Sequence, residues 1–139
     1  MKIFIKILVI SLIPLLTNCA STSAQANADH GPFPQGWQQS IEVYLDRNLK
    51  DPDSLKDFRI IGGPFKGFVN YGAFERGPTG KNFSNPMWYV CIEYRAKNSF
   101  GAYTGLQTQA VFFYDGRIER VLNGKSGGGD LGNTVFSCY

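Results

Sequence analysis

The chain has 139 residues, of which 43% are hydrophobic and 14% aromatic, so it can form one domain with a buried core, and this composition excludes a disordered body. Its formal net charge is +3, but two of its 14 basic residues, Lys2 and Lys6, lie in an N-terminal segment without acidic residues. The other 12 basic residues are balanced by 11 acidic ones, which gives no support to nucleic-acid binding through a basic surface.

Residues 1–18 have the pattern of a signal peptide. Lys2 and Lys6 precede the apolar run 7–16, which is shorter than the roughly 20 residues that a membrane-spanning helix needs. Its length is typical of the apolar region of a signal peptide. We therefore predict export and removal of residues 1–18, rather than an uncleaved membrane anchor.

The end of the apolar run, Leu16-Thr17-Asn18-Cys19, resembles the lipobox of bacterial lipoproteins. Leu16, Thr17 and Cys19 match that pattern, whereas Asn18 stands where the family usually has Gly, Ala or Ser. The resemblance implies that a diacylglyceryl group is added to Cys19, that cleavage occurs before it, and that membrane lipid is a partner of the protein. In this family Ala20, in place of Asp, favours sorting to the outer membrane, where the protein faces the periplasm.

A soluble periplasmic or secreted protein is the alternative. Ala24-Gln25-Ala26 and Ala26-Asn27-Ala28 both fit the rule for ordinary signal-peptidase cleavage. They lie well beyond the apolar run, so we favour the lipoprotein interpretation. Both interpretations predict export.

Residues 19–35 are mostly small and polar, with two prolines, and predict a flexible tether that starts at the lipidated cysteine. His30, the only histidine, lies in this segment, where we expect it to be solvated rather than catalytic or metal-bound. The folded domain should then cover residues 36–139.

The first predicted element of the domain is an amphipathic helix at 37–50. Apolar side chains recur on one helical face, and Pro52 ends the pattern. The residues of this face are Trp37, Ile41, Tyr44, Leu45 and Leu49. We expect the face to cover a sheet, and the alternative is a helix that binds a partner.

A short strand is predicted at 57–61. Glycines are interleaved with aromatic residues from 62 to 86, so we expect a glycine-interrupted strand at 66–74 and an exposed loop at 75–85. Aromatic residues among glycines either form a stacking surface for a sugar or peptide or fill gaps in a small core, and the sequence does not separate the two.

The centre of the domain is predicted to be an antiparallel meander of at least three strands. Residues 88–96 and 107–114 are rich in β-branched and aromatic side chains. Asp115-Gly116 suits a two-residue turn into a further strand at 117–122. The pairs expected from this turn are Phe113 with Ile118, Val111 with Arg120 and Ala110 with Val121.

Alternation along the first of these strands predicts two unlike faces. The residues of the expected core face are Trp88, Val90, Ile92, Tyr94 and Ala96. The residues of the other face, which we expect to be partly wet, are Tyr89, Cys91, Glu93 and Arg95.

The loop at 96–105 is the candidate binding site. Its candidate residues combine side-chain donors and acceptors with aromatic rings, and they are Asn98, Ser99, Phe100, Tyr103 and Thr104. The alternative is a connection that hydrogen-bonds its own backbone. Together with residues 49–54 and Cys91, this loop resembles a pattern in small exported bacterial proteins of undefined function, and that resemblance implies no activity.

The three cysteines indicate one disulfide. Lipidation of Cys19 leaves Cys91 and Cys138 as a pair in an oxidising compartment. We predict that these two are bridged, with two buried free thiols as the alternative. The bridge would tie a last strand, predicted at 131–139, to the sheet.

The sequence shows no catalytic constellation, metal-ligand cluster or cofactor motif. The predicted fold class is α+β, with one N-terminal amphipathic helix packed on an antiparallel β-sheet of about four to five strands. We expect a non-enzymatic binding module of the cell envelope whose partner is a protein or a glycan. An envelope hydrolase that uses Glu93 or Glu119 is the alternative.

Overall fold

The structure, a computed structural model, describes residues 28–80, 84–124 and 136–138. Its elements are the helix α1 (Trp37–Asn48), a short 3-10 helix (Pro52–Ser54) and the strands β1 (Lys56–Asn70), β2 (Ser84–Arg95), β3 (Gln107–Tyr114) and β4 (Arg117–Asn123). The four strands form one antiparallel sheet in the order β1-β2-β3-β4. In the described part of the chain the protein therefore has one α-helix and a four-stranded sheet, and its class is α+β as predicted.

Helix α1 packs on one face of the sheet through its apolar side. Ile41 is fully buried and Leu45 is 2% exposed, and both belong to a core that includes Val90 of β2. The other apolar residues predicted on this face stay partly exposed and pack against the same core, and they are Trp37, Tyr44 and Leu49. The helix ends at Asn48, earlier than predicted, because Leu49 already has extended backbone angles.

Strand β1 is longer than predicted. The strands expected at 57–61 and 66–74 are one element, which ends at Asn70. At Gly63 the backbone has a φ of 107° and lies so close to β2 that a Cβ atom would be 2.7 Å from the carbonyl oxygen of Tyr89. The pairing of β1 with β2 also shifts register in this region. Gly63, which lies between the two predicted strands, thus allows one strand to continue through a closely packed, irregular stretch.

Strand β2 begins at Ser84, inside the predicted loop 75–85 and before the predicted start of the strand. Pro86 pairs there with Phe68 of β1, whereas the pairing of β2 with β3 starts only at Trp88. Among the strands that the structure describes, Pro86 therefore has a neighbour on one side of β2 only. A residue without an N–H group is tolerated in such a position, which explains why the strand extends past a proline.

The hairpin of β3 and β4 has the predicted turn but not the predicted register. Asp115-Gly116 forms the turn, and Phe113 faces Ile118 as expected. Glu119 is then an extra residue of β4, a β-bulge, so the other two predicted pairs, Val111 with Arg120 and Ala110 with Val121, are wrong. The observed pairs are Phe112 with Arg120, Val111 with Val121 and Ala110 with Leu122. The bulge places Val121 on the helix-covered face, where it packs against the core.

Both faces of β2 are buried. The residues that confirm the predicted core face are Val90, Ile92, Tyr94 and Ala96, each at most 6% exposed. The prediction that the opposite face is partly wet is correct for Arg95, which is exposed. It is wrong for Tyr89, Cys91 and Glu93, each of which is also at most 6% exposed.

The C-terminal segment 136–138 covers this second face. Cys138 is bonded to Cys91, with an Sγ–Sγ distance of 2.09 Å and a Cα–Cα distance of 5.5 Å, so the predicted pairing is present. The Tyr89 hydroxyl donates to the carbonyl oxygen of Ser137 and accepts a hydrogen bond from its N–H, each at 3.1 Å. The rest of the predicted last strand lies outside the described residues.

The end of the predicted tether packs on the sheet. His30 is 6% exposed, and its ring lies edge-to-face against Phe68 of β1 and Trp88 of β2, with centroid distances of 5.3 and 6.3 Å. The carbonyl oxygen of Gly31 accepts a hydrogen bond from Trp88 Nε1 at 3.2 Å. The expectation that His30 is solvated is therefore wrong. Residues 19–27 of the tether lie outside the described residues.

Candidate functional site

The predicted binding loop, 96–105, extends over residues 96–106 in the structure and connects β2 and β3 at the end of the sheet opposite the β3–β4 turn. We call these two ends the loop end and the turn end. Trp88, which contacts His30, pairs with Phe113 just before the turn, so the N-terminal segment meets the sheet near the turn end. From Trp88 to Ala96 the strand extends over about 26 Å, at about 3.3 Å per residue.

The tip of the loop is held by hydrogen bonds to its own backbone. The N–H of Asn98 donates to the carbonyl oxygen of Ala102 at 2.8 Å. Asn98 Oδ1 accepts hydrogen bonds from the N–H groups of Phe100 and Ala102 at 2.9 and 3.2 Å. Gly101 has a φ of 78°, which suits the turn. Asn98 therefore shapes the loop by hydrogen-bonding its backbone, which is the alternative role that the sequence left open.

The base of the loop is attached to the 3-10 helix. Thr104 donates hydrogen bonds from its N–H and its hydroxyl to the carbonyl oxygen of Ala96, at 2.9 and 3.0 Å. Ser54 Oγ accepts a hydrogen bond from the N–H of Lys97 at 2.9 Å and donates to the carbonyl oxygen of Asp51 at 2.6 Å. Contacts at the tip and at the base together define the path of the loop.

The five candidate residues divide into two groups. Asn98 and Thr104 hydrogen-bond the loop backbone. Phe100 is 94% exposed and Tyr103 42% exposed, and Ser99 is also exposed. The surface available to a partner is thus mainly aromatic rather than a cluster of polar donors and acceptors.

The ring of Tyr103 lies near two lysines. The Nζ atoms of Lys56 and Lys97 are 4.3 and 5.6 Å from the ring centroid, within the range of cation–π attraction. Arg95 and Asp57 form an ion pair of 3.3 Å beside them. An adjoining cavity of about 470 Å³ is lined by Lys56, Asp57, Arg95, Tyr103, Thr104 and Gly105.

Sequence reasoning missed three lining residues, Lys56, Asp57 and Arg95. They lie at the start of β1 and the end of β2, and the pairing of Lys56 with Arg95 brings them to the loop end. No local pattern marks them as neighbours of Tyr103. Only the register between two strands that are distant in the chain could have indicated their position.

The two candidate carboxylates of the hydrolase hypothesis lie in different places. Glu93 is 4% exposed and accepts hydrogen bonds from Arg59 at 2.6 Å and from Thr108 at 3.2 Å. Glu119 accepts one from the Tyr71 hydroxyl at 3.1 Å. Burial and the Glu119 carboxylate raise the pKa of Tyr71 above its ordinary value. Thr108, which faces Glu93, is roughly 13 Å along β3 from the bulge at Glu119, so the two carboxylates do not share a site.

Cys19, the predicted lipidation site, lies outside the described residues. Within 28–80, 84–124 and 136–138, no group of His, Cys, Asp or Glu could hold a metal ion. In the same ranges no helix has the length and hydrophobicity to cross a membrane. Comparisons with protein-family models, with curated proteins and with solved structures give no match to the chain.

Proposed function

We propose that the protein is an exported lipoprotein of the cell envelope, anchored through lipid on Cys19 and facing the periplasm from the outer membrane. One observation carries the proposal: Cys91 and Cys138 are joined in a disulfide. Disulfides persist in oxidising compartments such as the periplasm, which supports export. The bridge accounts for two of the three cysteines, and the remaining one is Cys19, directly after the predicted signal-peptide run.

The mass of the processed protein tests the anchor. We expect a chain that begins at Cys19 and carries acyl groups. Cys19→Ser should leave the precursor unprocessed or release the protein from membranes, because each buried CH₂ group of an acyl chain contributes about 0.8 kcal/mol to membrane binding. Ser21→Ala is the matched control and should remain membrane-bound. An unmodified N-terminus at Gln25, Asn27 or Asp29 would instead show ordinary secretion.

The domain itself we propose to be a non-enzymatic binding module whose contact surface is the tip of loop 96–106. Phe100 leaves 94% of its surface in water, although burial of such a side chain is worth about 1.5–3 kcal/mol. Because hydrogen bonds to Asn98 hold the tip, binding would cost little conformational freedom. In an anchored protein the loop end points away from the N-terminal segment, toward an envelope protein or glycan.

The variant Phe100→Ala tests this surface, and Phe74→Ala is its matched control. Phe74 is also fully exposed but lies between β1 and β2. In capture experiments with envelope extracts, Phe100→Ala should weaken binding of a stoichiometric partner at least about 30-fold, since aromatic hot-spot residues cost about 2 kcal/mol or more when truncated. Phe74→Ala should leave binding unchanged. Equal losses in both variants, or none in Phe100→Ala, would place the contact surface elsewhere.

A further inference from the structure

A shallow groove runs along the outer side of α1 and reaches the β3–β4 turn. It has a volume of about 470 Å³. Its apolar lining includes Val43, which is 40% exposed, together with the half-buried Tyr44 and Ile118. Its charged lining consists of Arg47 from the helix and Arg117 from the start of β4. The groove thus combines exposed apolar surface with two guanidinium groups.

The charges of the helix are separated between its two flanks. Neither Arg47 nor Arg117 forms an ion pair with another described residue. None of the described residues that line the groove is acidic. The two acids of α1, Glu42 and Asp46, line a different cavity beside Leu49. The lining of the groove therefore carries two positive charges and no negative one, and Asp115, which precedes Gly116 in the turn, is not part of that lining.

The arginines are the charged ligand groups of the groove, whose other polar side chains are those of Gln39, Ser40, Tyr44 and Asn48. Ser40 Oγ donates to the carbonyl oxygen of Gly36 at 3.3 Å, and Asn48 Nδ2 donates to that of Tyr44 at 2.8 Å. Guanidinium groups bind phosphate oxygens through paired N–H donors. Apolar surface beside them suits the carbon atoms of a glycerol ester. This combination fits a phosphate that is joined to apolar chains.

The groove lies on the side of the molecule from which the chain would leave toward the membrane. It includes Gly116 of the β3–β4 turn, at the turn end of the sheet, where Gly31 bonds Trp88. The nine residues 19–27 can span at most about 30 Å, at about 3.3–3.6 Å per residue. An anchor at Cys19 would therefore hold residue 28 within about 30 Å of the bilayer surface, so the turn end can reach that surface.

We propose that this groove binds the headgroup phosphate of anionic phospholipids in the membrane to which the chain is tethered. Arg47 and Arg117 contact the phosphate, and Val43 and Ile118 contact the glycerol and the first carbons of the acyl chains. The location of the site at a membrane rests on the proposed function. The chemistry of the groove does not depend on Cys19.

Titration with short-chain lipids tests the proposal on the processed protein as it is recovered from the cell. The readout is the NMR shift of the backbone amides of residues 39–48 and 116–118. Dihexanoyl phosphatidylglycerol should shift these amides saturably. Dihexanoyl phosphatidylcholine and inorganic phosphate should shift them much less at equal concentration. Equal shifts with phosphatidylcholine would show an apolar site. Equal shifts with inorganic phosphate would show a site for free anions. Either result would overturn the proposal.

Substitution of the two arginines is the second test of the proposal. The double variant Arg47→Gln, Arg117→Gln should weaken phosphatidylglycerol binding about 30-fold, from the contribution of each basic residue near an anionic lipid. Arg76→Gln is the matched control, since Arg76 is exposed, forms no ion pair with another described residue and lies outside the groove. Equal affinity of the double variant and the control would overturn the proposal. If the processed protein carries no lipid on Cys19 and still binds phosphatidylglycerol, the anchor is refuted and the groove proposal stands.

Discussion

The carboxylate of Glu93 is buried, and its ion pair with Arg59 offsets the free-energy cost of burying the charge. The side chain of Glu93 is 6% exposed, whereas that of Arg59 is 64% exposed. Arg59→Met should lower the free energy of unfolding by about 3 kcal/mol, because it removes the charged member of the ion pair from a buried carboxylate. Denaturation in urea measures this loss.

A second ion pair on the same two strands provides the control. Arg95 and Asp57 have side chains that are 50% and 59% exposed. Arg95→Met should change the free energy of unfolding by less than about 0.5 kcal/mol, since exposed ion pairs contribute little. Losses of similar size in Arg59→Met and Arg95→Met would mean that water reaches the Glu93 carboxylate.

Gly63 is the residue at which the close approach of β1 to β2 can be tested. A Cβ atom there would be 2.7 Å from the Tyr89 carbonyl oxygen and 3.0 Å from Val90 Cα, and the φ of 107° is unfavourable for any other residue. Gly63→Ala should therefore destabilise the fold by about 2 kcal/mol or more. Gly105→Ala has open space around its Cβ position and should be neutral or stabilising by up to about 1 kcal/mol. Equal unfolding midpoints in the two variants would contradict the observed strand contact.

At the scale of elements, helix α1 can be tested through its two faces. Ile41→Ala or Leu45→Ala should each cost about 2–5 kcal/mol, because the side chains are removed from a packed core. Val43→Ala, on the 40% exposed side of the same helix, should change stability by less than about 0.5 kcal/mol. Thermal or urea unfolding measures all three. If the core variants are as stable as Val43→Ala, the apolar face is free to bind a partner.

The burial of strand β2 was only partly predictable from its own sequence. Its alternation correctly separated Val90 and Ile92 from Tyr89 and Cys91. The presence of Glu93 among the second group suggested a wet face. In the structure that face carries a core of its own, which the C-terminal segment covers. Glu93, on the same face, is paired with Arg59 of β1. A charged side chain can thus be buried when a charged partner is available, so its polarity alone does not predict exposure.

At the scale of the whole molecule, the disulfide links the C-terminal segment to the sheet. Cys91 and Cys138 are 47 residues apart. The chain-entropy model assigns such a loop about 4 kcal/mol. The double variant Cys91→Ala, Cys138→Ala should lose a large part of this stability and expose Phe136 and the Phe112 ring on which it packs. Unfolding curves with and without reductant measure the effect.

The response to reductant separates the disulfide from simple packing. The unsubstituted protein should lose stability when its bridge is reduced, and the double variant should not respond. A protein that is equally stable with and without reductant would show that packing of the C-terminal segment, not the bridge, holds that segment on β2.

Much of the fold follows from local patterns in the sequence. The helix face with Ile41 and Leu45, the Asp115-Gly116 turn and the strands on either side of it depend on residue types within a few positions of each other, which is why periodicity and turn chemistry predict them. The pairing of Cys91 with Cys138 follows from the number of cysteines and the expected oxidising compartment. The loop with Phe100 was identified in the same way, from a polar and glycine-containing stretch between two strands.

Tertiary contacts decided the rest. The burial of His30 and the placement of Lys56 beside Tyr103 each depend on segments that are far apart in the chain. The bulge at Glu119 lies within one hairpin, but it places Val121 in a core formed with α1 and β2. Local propensity contains no information on which distant residue will fill a given space, because burial and register are settled by the packing of whole elements against one another. The sequence by itself therefore determined the helix, the central hairpin and the disulfide pair. The extent of β1 and β2 and the burial of side chains on both faces of the sheet were decided only by packing, because they depend on contacts between distant segments.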